Sequence, residues 1–366
     1  MITRLEQIAR EFALEGNILK IEALGDGFIN DTFIVRTEGD APEYILQRKN
    51  KAIFPDVPAM MENIRKVTDH IRRKVAAAGG DTEREVMRIV ATRDGKLYHV
   101  DSEGEYWAVC VFIDDTIAYN RADTADLARM GGKGIGKFQA QLADFAEPLE
   151  ETIKGFHNIR HRFVQWDEAV KADASGRCAA LAEEIGWIES RREEMLAFWT
   201  KVESGEIPMR VTHNDTKINN ILFDKQGRVL CVIDLDTVMS APALNDFGDA
   251  IRTYTNTGDE DDKELSRVGM SLDMFAAYAD GYLSEQANSL TEVEIDHLAF
   301  SARYITFEQV LRFLMDYIMG DTYYKIKYDD HNLVRTHAQY ALLQSIEAQY
   351  DKMCEVVKQT AEKYRR

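Results

Sequence analysis

Apolar residues in the first 113 positions fall mostly in short runs with two-residue alternation. ILKIEAL (18–24) and DTFIVRT (31–37) flank a Gly-Asp-Gly turn, which predicts a β-hairpin, and EYILQR (43–48) predicts a third strand. The rhythm then changes. Met60, Ile64, Val67, Ile71 and Val75 recur at helical spacing, and the segment closes on Gly79 and Gly80, a pair suited to a helix C-cap. MRIVATR, KLYHVD and EYWAVCVFI follow as predicted strands separated by Asp-Gly and Glu-Gly turns.

From about Thr116 the texture becomes long amphipathic helices, seen in TADLARMGGKGIGKFQAQLADF, EEIGWIESRREEMLAFWTKV, MFAAYADGYLSEQ and most of the chain after Glu292. One stretch interrupts them. RVTHNDTKINNILFDKQGRVLCVIDLDTV (210–238) reads as loop, short strand, Gly turn and strand, and it concentrates the polar residues most suggestive of chemistry. The pattern predicts an α+β protein of two lobes, a small strand-rich one over residues 1–113 and a large, mainly helical one over 114–366, joined near Ile113-Asp114-Asp115.

Composition narrows the function. A net charge of -18 opposes binding to nucleic acid or an anionic membrane, so any phosphate must be handled locally. No apolar run approaches the roughly 18 residues of a membrane span, and the start of the chain is an amphipathic helix pattern with no signal-peptide block, from which a cytoplasmic protein is expected. Cys110, Cys178, Cys231 and Cys354 are far apart with no CxxC pair, and are expected to be packing residues.

Within THNDTKINNILFD, His213, Asp215 and Asn220 have the H-x-D-x-x-x-x-N spacing of a phosphoryl-transfer loop. There an acid must orient a hydroxyl nucleophile and accept its proton, and an amide oxygen can serve Mg2+. The strand LCVID ends on Asp234, nineteen positions after Asp215, room for one hairpin; its carboxylate suits a second metal ligand. Upstream, the turn holding Gly25 and Gly27 can cover phosphates through backbone amides. Arg48, at the end of the third strand, is the expected phosphate-positioning cation, and Glu62 in the next helix its expected ion-pair partner. Backbone groups around Phe112 and Ile113 are expected to meet the nucleotide base. Lys217 is placed to neutralise charge on the transferring group. Two motifs are read as structural: GGKGIGK (131–137) lacks the phosphate-loop spacing and lies in a helical pattern, and His157 with His161 lacks a third zinc ligand.

The IDLD sequence at 233–236 resembles the second motif of the aminoglycoside phosphotransferase and choline kinase branch of the protein-kinase-like superfamily. More closely, THNDTKINNILFD, CVIDLDTVM, DFGDAIRT, FHNIRHRF (156–163) and RFLMDYIMGDTYYKI (312–326) resemble the bacterial N-acetylhexosamine 1-kinase family. That resemblance implies a bilobal kinase-like fold, ATP as cosubstrate with Mg2+, and transfer of the γ-phosphate to the anomeric hydroxyl of GlcNAc or GalNAc. With it, Asp215, Arg303, Arg312, Asp316 and Tyr323 are expected around the sugar. Met239-Ser240-Ala241 departs from the Pro-Gly turn expected after the IDLD motif. The alternatives are a kinase of the same fold acting on choline, homoserine or an aminoglycoside, and a nucleotide-binding pseudokinase.

Overall fold

The computed structural model describes residues 3–25 and 29–365. In chain order its elements are α1 (Arg4–Ala9), β1 (Ile18–Ala23), β2 (Asp31–Thr37), β3 (Tyr44–Lys49), α2 (Val57–Ala77), β4 (Ile89–Val90), β5 (His99–Val100), β6 (Tyr106–Val111), α3 (Ala125–Gln141), α4 (Ile159–Ala172), α5 (Ala182–Glu189), α6 (Arg192–Glu203), β7 (Met209–Thr212), β8 (Ile221–Phe223), β9 (Val229–Val232), β10 (Met239–Pro242), α7 (Ala243–Tyr254), α8 (Leu272–Gln286), α9 (Glu292–Ile318), α10 (His331–Ala348) and α11 (Tyr350–Tyr364). They fall into two compact units. The first comprises residues 1–118, 144–154 and 220–240; the second comprises 119–143, 155–219 and 241–366.

The first unit is built on an antiparallel sheet in the order β1-β2-β3-β6-β4, with β5 also pairing β6. The expected β1–β2 hairpin is present, pairing Ile21 with Val35 and Ala23 with Phe33, and the β2–β3 register puts Asp31 opposite Arg48. One face of the sheet contributes Val35, Tyr44, Leu46, Trp107 and Val109 to a core completed by Ile8 and Phe12 at the start of the chain. Helix α1 begins on a capping box in which the Thr3 side chain accepts from Glu6 and the Glu6 side chain accepts from Thr3. Asp56 caps α2 by accepting from the Ala59 amide at 2.9 Å, and the helix buries the predicted stripe Met60, Ile64, Val67, Ile71 and Val75. Asn63 is buried as well. Its amide donates to the Glu150 carbonyl and accepts from the Glu150 amide, both at 2.9 Å, which ties segment 144–154 to this unit.

The second unit is helical, and its tightest crossing explains the glycines of GGKGIGK. A Cβ on Gly132 would stand 2.2 Å from the Tyr278 carbonyl oxygen, and one on Gly281 would stand 1.9 Å from that of Arg129. Helices α3 and α8 therefore pass at backbone distance, which only glycine permits at these positions. Every residue of α7 from Ala243 to Arg252 is buried. The 27-residue α9 starts on a Thr291–Glu294 capping box. Among the described residues no helix is long and apolar enough to cross a membrane.

Candidate active site

In the second unit, the loop after β7 is fixed by two acids of α7. The Asp246 carboxylate accepts from the His213 amide (2.9 Å), the Asn214 amide (2.7 Å) and the Gln139 side chain (2.8 Å). Gln139 is held in turn by the Tyr282 hydroxyl at 2.5 Å. Burial pushes the Asp246 carboxyl up, while His213 and the three donors pull the other way. Asp249 accepts from the Thr216 amide at 2.9 Å, and the Thr216 hydroxyl donates to the Asp246 carbonyl at 2.8 Å. Asn214 is left-handed (φ 63°), which turns the chain sharply just before Asp215.

His213 is fully buried, its ring edge-on to Phe138, and its Nδ1 accepts from the Asp215 amide at 3.2 Å. It is a brace for the loop. The Asp215 side chain is partly exposed, and its Oδ1 lies 2.8 Å from Nζ of Lys217, whose side chain is about half exposed. The neighbouring Asp215 raises the Lys217 pKa, keeping it charged. An acid with open access and a cation two residues on are thus presented by a rigid loop.

In the first unit, strand β8 begins directly after Asn220 and pairs with β9, Ile221 opposite Val232. The ladder continues one step: the Ile233 amide donates to the Asn220 carbonyl at 2.9 Å. Asn220 and Asp234 therefore come to the same open end of one hairpin. Asp234 is left-handed (φ 60°, ψ 56°) and exposed, while Asp236, two residues on, is buried.

The buried basic residue at the end of β3 is Lys49, one position after the expected Arg48. Arg48 is partly exposed and pairs with Asp31, its cross-strand neighbour. Lys49 instead is buried, its Nζ 2.7 and 2.9 Å from the two carboxylate oxygens of Asp236 and 2.7 Å from the Gln47 side-chain oxygen. Strand alternation gives the reason: position 49 shares a face with Ile45 and Gln47, and position 48 shares the opposite one with Tyr44 and Leu46. Asn30 adds a second donor to Asp236 at 2.7 Å. Glu62 is likewise corrected, since it pairs along its own helix with Arg65 and not with Arg48. Lys49 and Asn30, bonded to Asp236, and Gln139, bonded to Asp246, are members of the candidate site that the sequence reading missed. The second acid of IDLD was the available signal, because a buried carboxylate requires a buried cation.

The other expected residues are placed as follows. Gly25 is left-handed (φ 68°) with open space where a Cβ would stand, and Gly27 lies outside the described residues. The Phe112 amide already donates to the Glu43 carbonyl at 2.9 Å, and the Ile113 carbonyl accepts from the Thr116 hydroxyl at 3.1 Å. Arg303 pairs with Glu194 through two bonds of 2.9 and 2.8 Å. Asp316 uses both carboxylate oxygens to hold the amides of Thr322, Tyr323 and Tyr324 and the side chain of Asn332. Both are thus engaged within the protein. Arg312 stands among the rings of Phe156, Tyr323 and Tyr324 at 5.9, 5.8 and 5.6 Å, and Tyr323 is 55 % exposed.

A small antiparallel sheet carrying a buried lysine, a larger helical part and a braced H-x-D-x-x-x-x-N loop define a phosphotransferase of protein-kinase-like fold. The chain belongs to the phosphotransferase enzyme family, whose model matches residues 20–283. Solved structures agree on the fold. A microcompartment-associated aminopropanol kinase superposes with a TM-score of 0.63 at 16 % identity, covering 96 % of this chain and 98 % of that one. A spectinomycin phosphotransferase in complex with ADP and spectinomycin gives 0.55 at 15 % identity, with 98 % and 97 % covered. An ethanolamine kinase of Plasmodium vivax gives 0.52 at 14 % identity, with 92 % and 84 % covered.

Proposed function

We propose that this phosphotransferase moves the γ-phosphoryl group of ATP to the anomeric hydroxyl of an N-acetylhexosamine, GlcNAc or GalNAc, giving the sugar 1-phosphate. The observation that carries the phosphoryl-transfer reading is the loop of residues 213–217, held by Asp246 and Asp249 so that Asp215 is the accessible acid. Asp215 orients the acceptor hydroxyl and takes its proton, and Lys217 offsets negative charge on the group in transfer. Lys49, fixed by Asp236, takes the phosphate-positioning role first expected of Arg48. Gly25 and the backbone around Ile113 remain the proposed nucleotide contacts.

The oxygen donors Asn220 and Asp234, at one end of a hairpin, fit Mg2+, a hard cation that binds through one or two protein oxygens together with nucleotide phosphates. Among the described residues no group of three or more His, Cys, Asp or Glu forms a metal cage, and a nucleotide-bound Mg2+ needs none. When bound, the ion supplies charge neutralisation at the phosphates.

The sugar rests on the sequence blocks that resemble N-acetylhexosamine 1-kinases and on Arg312 with Tyr323. A guanidinium without an ion-pair partner among the described residues, set among aromatic rings, suits a neutral polar acceptor and repels an ammonium group. The amino-alcohol acceptors named for two of the similar structures give the second reading, favoured by the net charge of -18. Phosphorus NMR of the protein with Mg-ATP and, in turn, GlcNAc, GalNAc, ethanolamine, aminopropanol and choline separates the two. A new sugar 1-phosphate signal with GlcNAc or GalNAc is expected. A phosphomonoester formed only with an amino alcohol would replace the sugar reading and leave the kinase reading standing.

A further inference from the structure

Behind the Arg312 cluster lies a buried carboxylate that the reaction itself does not use. Glu308, on α9, is 1 % exposed at its side chain. Its Oε1 accepts from Arg162 Nε at 3.0 Å and its Oε2 lies 2.6 Å from His157 Nδ1. A carboxylate only accepts, so Nδ1 carries the proton. Nε2 of the same ring is buried and has no hydrogen-bond partner among the described residues, where Glu308 is the one side chain that fixes the ring by hydrogen bonding.

The backbone of His157 is fixed just as firmly. It is left-handed (φ 55°), a conformation a histidine keeps only when its surroundings demand it. Its carbonyl accepts from the Tyr304 hydroxyl at 2.7 Å, and that hydroxyl oxygen accepts from the Ile159 amide at 3.1 Å. The neighbouring Phe156 packs its ring 4.2 Å from the imidazole, is partly exposed, and has the Arg312 guanidinium 5.9 Å from its centroid. Arg312 itself follows Glu308 by one helical turn and is drawn electrostatically to it. Both members of the half-exposed surface, the Phe156 ring and the Arg312 charge, thus depend on one carboxylate.

We propose that Glu308 is a positioning residue for the acceptor: through His157 it sets the Phe156 ring, through its charge it sets Arg312, and it controls acceptor affinity without touching the acceptor. The proposal rests on the sugar kinase reading for the identity of that acceptor. Glutamine at 308 offers one acceptor oxygen where two N–H donors, His157 Nδ1 and Arg162 Nε, need one each, so His157 or Arg162 loses its partner. Aspartate keeps the charge and both oxygens on a shorter stem.

The test compares the full-length wild type, Glu308→Gln and Glu308→Asp with Mg-ATP and GlcNAc or GalNAc. Glu308→Gln is expected to raise the sugar KM by more than about tenfold while the ATP KM moves less than about twofold, and Glu308→Asp to recover part of the loss. Unchanged KM values, with only a lower melting temperature or less active protein, would make Glu308 merely structural and overturn the proposal. If the wild type phosphorylates neither sugar, the functional reading fails on its own account. The positioning claim is then decided by fluorine NMR of 4-fluorophenylalanine placed at position 156. Glu308→Gln is expected to move or split that resonance, and an unmoved resonance would overturn the claim.

Discussion

Replacing Lys49 by methionine removes the cation from a pair that is almost fully enclosed, with side chains 3 % and 7 % exposed for Lys49 and Asp236. Breaking one partner of a buried ion pair costs roughly 3–5 kcal/mol, because the remaining charge stays buried without its partner. Asn30 keeps its bond to Asp236, so the lower end, about 3 kcal/mol, is expected. Arg48→Met is the matched control one residue earlier: that pair is 42 % and 50 % exposed and worth about 0–1 kcal/mol. Hydrogen exchange read by mass spectrometry on peptides spanning β3 and β6 measures the difference locally. At 1.4 kcal/mol per decade, Lys49→Met should speed exchange of globally protected amides by about a hundredfold, and Arg48→Met by less than about fivefold. The double change Lys49→Met with Asp236→Leu should recover most of the loss, since an apolar pair leaves no buried charge. Slow, wild-type exchange in Lys49→Met together with fast exchange in Arg48→Met would refute the strand register on which the site is built.

Gly281→Ala should lower stability by on the order of 3 kcal/mol in urea titration, because its Cβ meets the Arg129 carbonyl at 1.9 Å, whereas Gly186→Ala, in open space on α5, should stabilise by up to about 1 kcal/mol. Asp246→Ala removes the acceptor of the His213 and Asn214 amides, each at about 1–3 kcal/mol, and steady-state assays should show kcat falling at least about tenfold with a smaller change in ATP KM. Glu308 has a pH signature. Burial works to raise its pKa, but His157 and Arg162 outweigh it and hold the carboxyl well below the usual range. Its contribution is therefore fully present above the unfolded value near about 4.3 and fades as pH falls through the lower folded value. The stability gap between wild type and Glu308→Gln in denaturant titrations should be constant from pH 6 to 8 and narrow below about pH 4; a gap that widens in acid would contradict the assignment.

Much of the fold was readable because it follows from periodicity. The α2 stripe from Met60 to Val75 appears in the structure as drawn from spacing, and the hairpin around Gly25 pairs as the alternation required. GGKGIGK was readable as packing because its glycines sit inside a helical pattern, and α8 supplies the backbone they accommodate. The candidate site could be proposed from the sequence where its parts are local, as in 213–220 and at Asp234. It was not legible where a part depends on which face of a strand meets a buried acid distant in sequence. Arg48 and Lys49 are adjacent and both basic, and only the pairing with Asp236, 187 residues away, decides between them. Gln139 was equally hidden, since its link to Asp246 spans 107 residues. Arg303 and Asp316 show the converse: their residue types suited a sugar, but Glu194 and the amides of residues 322–324 occupy them.

The central claim is that Asp215 is the acid through which this fold transfers a phosphoryl group, and the most direct measurement is single-turnover formation of ADP and sugar 1-phosphate by wild type and Asp215→Asn. The wild type should convert Mg-ATP and GlcNAc or GalNAc in parallel amounts. Asp215→Asn should keep its fold and its affinity for Mg-ATP while the transfer rate falls by at least about a hundredfold, because the lost carboxylate acts on the proton in flight. Transfer by Asp215→Asn at a rate near that of the wild type would contradict the account.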